Sequence, residues 1–178
     1  MFIYDRKLQY PVKIKTPNPA LAKIIISQVG GPDGELAAST RYLSQRFSMP
    51  NRNIAGMLTD IGVEELAHVE MISAIIYQLT RNLSPEEIKR AGFDTYFVDH
   101  TTGVYPQAAS GTPFTTAYIG VKGDVLADLH EDLAADAAIT NAQLAKSALQ
   151  KNSKYRDFAF WMFALAFSSL QSHKCNRS

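Results

Sequence analysis

The sequence predicts an all-α fold, a four-helix bundle with ferritin-like topology. Four runs carry apolar residues at helical spacing, and they fall into two pairs along the chain. The pairs are separated by residues 93–122, which are rich in glycine, proline, threonine and aromatic residues and show no helical period. A long crossover between the second and third helices lets the second pair lie beside the first. We expect residues 1–178 to form this single domain.

The first helical run is predicted to follow an extended lead, residues 1–17. Asn18 is a suitable N-cap and Pro19 a suitable first helical residue, so a helix should begin there. A glycine-rich segment at 30–34, Gly-Gly-Pro-Asp-Gly, interrupts the pattern before a further helical run from Glu35 to Phe47. The break allows two alternatives, which are two separate helices or one long helix with a kink.

The second long helix is predicted from about Asn53 to Leu79, because its apolar residues keep a helical period throughout. A short helix should follow it. Ser84 and Glu87 have the spacing of a capping box, and the pattern ends near Gly92. These two helices would bring the chain to the start of the long connection.

The second pair of helices follows the long connection. Asp124 is expected to start a helix that begins at Val125 and extends to about Lys151. The last apolar run, from Tyr155 to Leu170, has aromatic residues on most faces and therefore needs burial. Residues 171–178 are predicted to be a frayed tail.

Composition and charge narrow the function classes. The formal net charge of +1 gives no electrostatic footprint for nucleic acid or an anionic membrane. No apolar run reaches the roughly 18 residues that a transmembrane helix needs. Cys175 is the single cysteine, so no internal disulfide is possible, and a reducing, cytoplasmic setting is expected.

The sequence Glu-x-x-His at Glu65 and His68 is the first candidate for a functional site. Residues three apart share a helix face, with Cβ atoms about 5–6 Å apart, so a carboxylate and an imidazole can reach one metal ion. Their neighbours are mostly apolar: Ile61, Val63, Leu66, Val69, Met71 and Ile72. A charge buried among them would need a partner, because unpaired burial costs several kcal/mol. A metal, an arginine or a water network could be that partner, and an ordinary surface pair is a further alternative.

Other carboxylates could complete a metal site. Dinuclear carboxylate bundles use two single glutamates and two Glu-x-x-His pairs. Glu35 is a candidate single ligand, since small residues follow it and leave space near the helix axis. The third helix offers three aspartates spaced i, i+4, i+8: Asp128, Asp132 and Asp136. The fourth run contains Asp157 but no Glu-x-x-His.

Three segments carry motifs that are more specific than the spacing of these candidate ligands. They are Lys-Leu-Gln-Tyr-Pro-Val at 7–12, Gly-Gly-Pro-Asp-Gly-Glu-Leu at 30–36, and Leu-Thr-Asp-Ile-Gly-Val-Glu-Glu-Leu-Ala-His at 58–68. Together with Glu-Asp-Leu-Ala-Ala at 131–135, they resemble the manganese catalase family, and more closely its short spore-coat branch. The resemblance covers roughly residues 1–136.

The resemblance implies a ferritin-like bundle that holds two manganese ions and disproportionates hydrogen peroxide to water and oxygen. In this family pattern Glu35 matches a terminal ligand, Glu65 the bridging ligand and His68 its partner. These three residues are therefore expected to be catalytic as well as metal ligands. Asp136 stands where the family has a glutamate and is the fourth expected ligand. Its side chain is one methylene shorter, so its carboxylate falls short by about 1.5 Å unless the helix moves.

The fourth helix departs from the family pattern. A second Glu-x-x-His, expected around residues 160–172, has no match, and the resemblance fades from Ala137 onward. Either the protein has diverged here or the reading frame has changed in the 3′ part of the gene. The missing pair leaves the activity of this chain open and allows a site with one metal instead of two.

Three functions are compatible with these features. The intact first half favours a manganese catalase, with hydrogen peroxide as substrate and a homo-oligomeric assembly. The missing pair favours a structural spore-coat component of the same fold, with a partial or lost metal site and other spore-coat proteins as partners. A ferritin-like iron protein shares the ligand types, because carboxylate and imidazole suit iron as well as manganese. The flanking motifs favour the catalase.

Overall fold

The computed structural model describes residues 7–32, 34–93 and 115–135, and the regular elements in these ranges are all helical. Helix 125–135 is named α6 and reaches the end of the last described range. Short 3-10 helices cover Arg46–Ser48 and Thr116–Tyr118. The other helices are α1 Pro19–Ile25, α2 Ser27–Gly30, α3 Glu35–Gln45, α4 Arg52–Thr80 and α5 Pro85–Arg90. The fourth predicted helix and the tail lie outside the described residues.

Capping residues start the helices where the sequence predicts. The Asn18 side chain accepts a hydrogen bond from the backbone N–H of Leu21 at 3.1 Å, and proline opens α1. Ser84 and Glu87 form a complete capping box on α5. Asp124 accepts from the N–H of Ala127 at 2.8 Å, at the start of α6. Each cap satisfies a backbone donor that the first helical turn leaves without a partner.

Helices α1, α2 and α3 follow one another along the long helix α4. The N–H of Asn18 donates to the carbonyl of Leu79 at 2.7 Å, at the C-terminal end of α4. Ser39 of α3 donates to the carbonyl of Gly62 at 2.7 Å, in the N-terminal half. Near the C-terminal end of α4, an apolar cluster fills the contact with α1 and α2. Its members are Leu21, Ala22, Ile25, Ile26, Val29, Met71, Ile72, Ile75, Ile76, Leu79 and Phe93.

The glycine-rich break lies between α2 and α3. The helix ends at Gly30, and Gly31 adopts extended backbone angles. A Cβ at Gly34 would lie 2.9 Å from the amide nitrogen of Gly31, so the turn packs backbone against backbone and a side chain would not fit. The structure agrees with the alternative of separate helices, because the helix stops at Gly30 and a new one begins at Glu35. These helices lie in series along one partner, α4.

The lead, in its described part 7–17, contains neither helix nor strand. The side chain of Gln78 accepts from the N–H of Ile14 at 2.7 Å and donates to the carbonyl of Val12 at 2.9 Å. Arg81 donates to the carbonyl of Ile14 at 2.8 Å. The lead is therefore held against the end of α4 by side chains. Within the described ranges no helix is long and apolar enough to cross a bilayer.

Candidate metal centre

The packing of α3 against α4 determines which residues face one another. The two helices are antiparallel, with Ser39 opposite Gly62 and Tyr42 in one apolar cluster with Leu58. One turn before Ser39 on α3 is Glu35, and three residues after Gly62 on α4 is Glu65. Their carboxylates therefore meet between the helices.

Glu35, Glu65 and His68 form a compact buried group. The Nδ1 atom of His68 lies 2.7 Å from Oε2 of Glu65 and 3.7 Å from Oε2 of Glu35. One ligand atom from each residue lies within 4.8 Å of the other two. The three side chains are only 6–8% exposed. The structure thus brings together three of the four ligands predicted from the sequence.

Burial and mutual contact alter the acid–base properties of this group. Burial raises the pKa of Glu65 to about 8, and the negative charge of Glu35 adds to this rise, while the hydrogen bond with His68 opposes it. Burial alone would lower the pKa of His68. The contacts with the Glu35 and Glu65 carboxylates outweigh it and raise that pKa to about 10. Both groups therefore hold protons more strongly in the folded, metal-free chain than in water.

The donor set fits a divalent cation of the manganese or iron type. Two carboxylates and one imidazole are ligands that these metals accept. Among the described residues, His68 is the only basic side chain within salt-bridge distance of either carboxylate. A cation at this point would take the place of the protons that Glu65 and His68 hold strongly in the metal-free chain. The Nδ1 atom faces both carboxylates, so Nδ1 is the nitrogen placed to bind it.

The aspartates of the third helix have different environments. Asp128 is buried, and its carboxylate accepts from the N–H groups of Lys122 and Gly123 at 2.7 and 3.1 Å. It therefore holds the turn before α6 and is not part of the Glu–Glu–His group. Asp132 is also buried and is not part of that group. Asp136 lies outside the described residues.

Sequence reasoning missed a buried polar network beside the site. Arg41 and Gln45 of α3 are buried, and both contact Glu131 of α6. The sequence gives little sign of this, because Glu131 follows a histidine and precedes an aspartate, as on a solvated helix face. The one available signal is the position of Arg41, which lies between the small residues Ala37 and Ala38 and the buried Tyr42 on the same helix.

A family model for manganese-containing catalase matches residues 1–151. The chain belongs to the manganese catalase family. It is 52% identical to protein CotJC of Bacillus subtilis over 136 residues, which cover 76% of this chain and 71% of CotJC. It is 33% identical to a probable manganese catalase of Clostridium acetobutylicum over 138 residues, covering 76% of this chain and 61% of that protein. The family resemblance seen in the sequence motifs is thus confirmed.

A solved manganese catalase has the same fold. The crystal structure of wild-type KatB, a manganese catalase from Anabaena, superposes with a TM-score of 0.84 at 29% identity. The match covers 97% of this chain and 77% of KatB. The predicted ferritin-like helical bundle is therefore confirmed.

The chain is shorter than the catalases that it matches. Its aligned region spans 61% of the Clostridium acetobutylicum protein and 55% of the manganese catalase of Bacillus subtilis, with which it shares 29% identity. Family and fold follow from these similarities.

Proposed function

We propose that this chain is a manganese-dependent catalase-type protein that disproportionates hydrogen peroxide at the Glu35–Glu65–His68 centre. The observation that carries the proposal is the convergence of two buried carboxylates and one imidazole between α3 and α4, within 4.8 Å. Family membership supports manganese as the cofactor. Iron is the alternative that the same ligands would accept.

The chain's own residues would perform defined tasks. Glu35 and Glu65 would bind the cation through carboxylate oxygens, and His68 through Nδ1. Their burial keeps bulk water from the site, which strengthens every electrostatic interaction within it. Asp136 is the proposed ligand from the third helix. Two manganese ions are proposed, as in the family pattern, and a single ion is the alternative that the missing second Glu-x-x-His favours.

Manganese bound there would supply reversible two-electron chemistry. In the balanced reaction, two hydrogen peroxide molecules give two waters and one dioxygen. One peroxide gains two electrons and two protons as its O–O bond breaks, and the other loses two of each.

The test is manganese content by elemental analysis, together with oxygen release from peroxide. We expect bound manganese and oxygen release in the natural chain. Glu65→Gln and His68→Gln should each lose most of the bound manganese and most of the oxygen release, since each removes one proposed ligand. Glu86→Gln is the control, because Glu86 is an exposed carboxylate on α5 and should leave both unchanged.

A chain that binds no manganese and releases no oxygen would contradict the proposal. Iron in place of manganese, with oxygen release retained, would correct only the metal. Bound metal without oxygen release would favour a second function, a structural spore-coat component of the same fold. The resemblance to the short spore-coat branch and the 52% identity with CotJC support that alternative.

A homo-oligomeric assembly and other spore-coat proteins as partners remain predictions. Light scattering would measure the assembly, and cross-linking in spores would identify the partners.

A further inference from the structure

A side-chain hydrogen bond crosses from α3 to α4 beside the candidate metal centre. The Oγ atom of Ser39 donates to the carbonyl oxygen of Gly62 at 2.7 Å, and Ser39 is only 1% exposed. A backbone carbonyl has two lone pairs, so that of Gly62 can accept this bond in addition to the bond within α4. The bond lies in the interior, where the low dielectric strengthens it.

Other hydroxyl groups on these two helices behave differently. Thr40 and Ser44 of α3 donate to carbonyls four residues earlier in the same helix, at 2.8 and 2.7 Å. Thr59 of α4 does the same at 2.7 Å. Such a local bond is common for a hydroxyl inside a helix. The hydroxyl of Ser39 instead reaches a carbonyl 23 residues away, so it connects two helices where the others bond within one.

The packing around this bond is apolar and close. Ala38 packs with Leu58 in one cluster, and a Cβ at Gly62 would lie 2.8 Å from Cγ of Leu43. Apolar contacts are non-directional, so they specify the axial register of two helices less sharply than their separation. A hydrogen bond requires a narrow range of distances and angles. The bond of Ser39 is therefore the contact here that specifies the register most sharply.

The register at Ser39 carries over to the metal ligands, because they lie about one turn away. Glu35 precedes Ser39 by four residues, which is about 6 Å along α3. Glu65 and His68 follow Gly62 by three and six residues, about 4.5 and 9 Å along α4. Since the helices are antiparallel, both steps run in the same direction, and the level of Glu35 falls between those of its two partners. An axial shift at Ser39 would change the 3.7 Å distance between Oε2 of Glu35 and Nδ1 of His68.

We propose that Ser39 is a positioning residue of the metal centre. Its hydroxyl sets the axial register of α3 against α4, so that the Glu35 carboxylate reaches the cation held by Glu65 and His68. This inference rests on the proposed function. Glu65 and His68 belong to one helix and keep their mutual geometry in any register. The loss of the Ser39 hydroxyl should therefore act through Glu35.

The test is a double-mutant cycle on manganese affinity, measured by equilibrium titration of the full chain with Mn²⁺. Ser39→Ala removes the hydroxyl and should weaken binding by about tenfold, the lower end of the range for residues that orient metal ligands. In a Glu35→Gln background the same change should add little further loss, because the ligand that it positions is already gone. The electron paramagnetic resonance spectrum of bound Mn²⁺ should also change in Ser39→Ala, since one ligand moves.

Thr40→Ala is the matched control on the same helix. It removes a hydroxyl that bonds within α3, to the carbonyl of Leu36, so manganese affinity and the spectrum should stay unchanged. Urea unfolding in EDTA measures the stability of both variants separately from metal binding. If Ser39→Ala does not fold by circular dichroism, Ser39→Cys replaces it in the cycle. A thiol is only a weak donor, so a loss of affinity in the same direction is expected.

Three outcomes would overturn the positioning role. They are unchanged affinity in Ser39→Ala, whatever its stability, an equal loss in Thr40→Ala, and a full loss that persists in the Glu35→Gln background. Each can occur while the natural chain binds manganese normally, and the proposed function would then stand. A natural chain that binds no manganese would refute the proposed function and the positioning role together.

Discussion

At the scale of single residues, His68 connects the two buried carboxylates. Its Nδ1 atom lies within 4 Å of both Glu35 and Glu65, so in the metal-free chain a proton on the imidazole takes the place of a cation. Contact with the two carboxylates overcomes the effect of burial and raises the pKa of His68 to about 10. Metal binding must release that proton, and affinity should therefore increase with pH.

The raised pKa predicts how the metal-free chain responds to pH. A histidine whose folded pKa exceeds the unfolded value contributes stability that is complete below about pH 6.5 and is lost as pH rises toward 10. The free energy of unfolding in EDTA should fall across this range, by at most about 1.4 kcal/mol per pH unit for this one proton. The raised pKa of Glu65 also makes the free energy of unfolding fall as the pH rises, in this case between about pH 4.5 and 8.

The measurement is urea unfolding in EDTA at several pH values. His68→Gln removes the titrating imidazole, so its stability should depend less on pH between 6.5 and 10. An equally steep dependence in that variant would show that other groups cause the loss.

At the scale of helices, a close approach of α3 and α4 brings the site residues together. Ser39 bonds the backbone of Gly62 directly, and a Cβ at Gly62 would lie 2.8 Å from Cγ of Leu43. The glycine therefore determines the distance between the two helices one turn away from Glu65. Stability and site geometry depend on the same contact.

Gly62→Ala should destabilise the protein and weaken metal binding. The added methyl group forces the helices apart, at a cost of about 1–3 kcal/mol, which exceeds the gain of about 1 kcal/mol from helix propensity. Gly56→Ala is the matched control on the same helix, since nothing lies within 4 Å of its Cβ position. Gly56→Ala should raise the free energy of unfolding by about 0.5–1 kcal/mol.

Denaturant unfolding and manganese titration of both variants test this prediction. Equal stability changes in the two variants would mean that α3 and α4 can adjust without cost. In that case Gly62 would have no special role in the site.

At the scale of the whole molecule, a cation between α3 and α4 would join the helix that follows the glycine-rich break to the long helix that comes next in the chain. Such a ligand binds the folded state and not the unfolded chain, so it stabilises the fold by mass action. When the free manganese concentration is a hundred times the dissociation constant, the free energy of unfolding increases by about 2.7 kcal/mol.

Manganese should therefore raise the melting temperature by roughly 5–10 °C in a chain of this size. Thermal scans with Mn²⁺ and with EDTA measure the shift. The increase should disappear in Glu35→Gln, which removes a ligand, and persist in Glu86→Gln. An equal increase in both variants would indicate non-specific binding elsewhere.

The sequence alone determined the helix starts and the candidate metal-binding group of the first half. Asn18, Ser84 and Asp124 bond to backbone groups three residues away, so their effect is local and readable from spacing. Glu65 and His68 share a face of one helix for the same reason. The family motifs then identified Glu35 as their companion.

Only the tertiary structure decided how these helices pack against one another. The contact of Ser39 with Gly62 sets the register that places Glu35 against Glu65, and no local rule links residues 23 positions apart. The ion pair of Arg41 with Glu131 joins residues 90 positions apart and buries the arginine, while the glutamate stays partly exposed. Register and burial depend on the packing of complete helices, and for this reason the chemistry of the site became visible only in the folded chain.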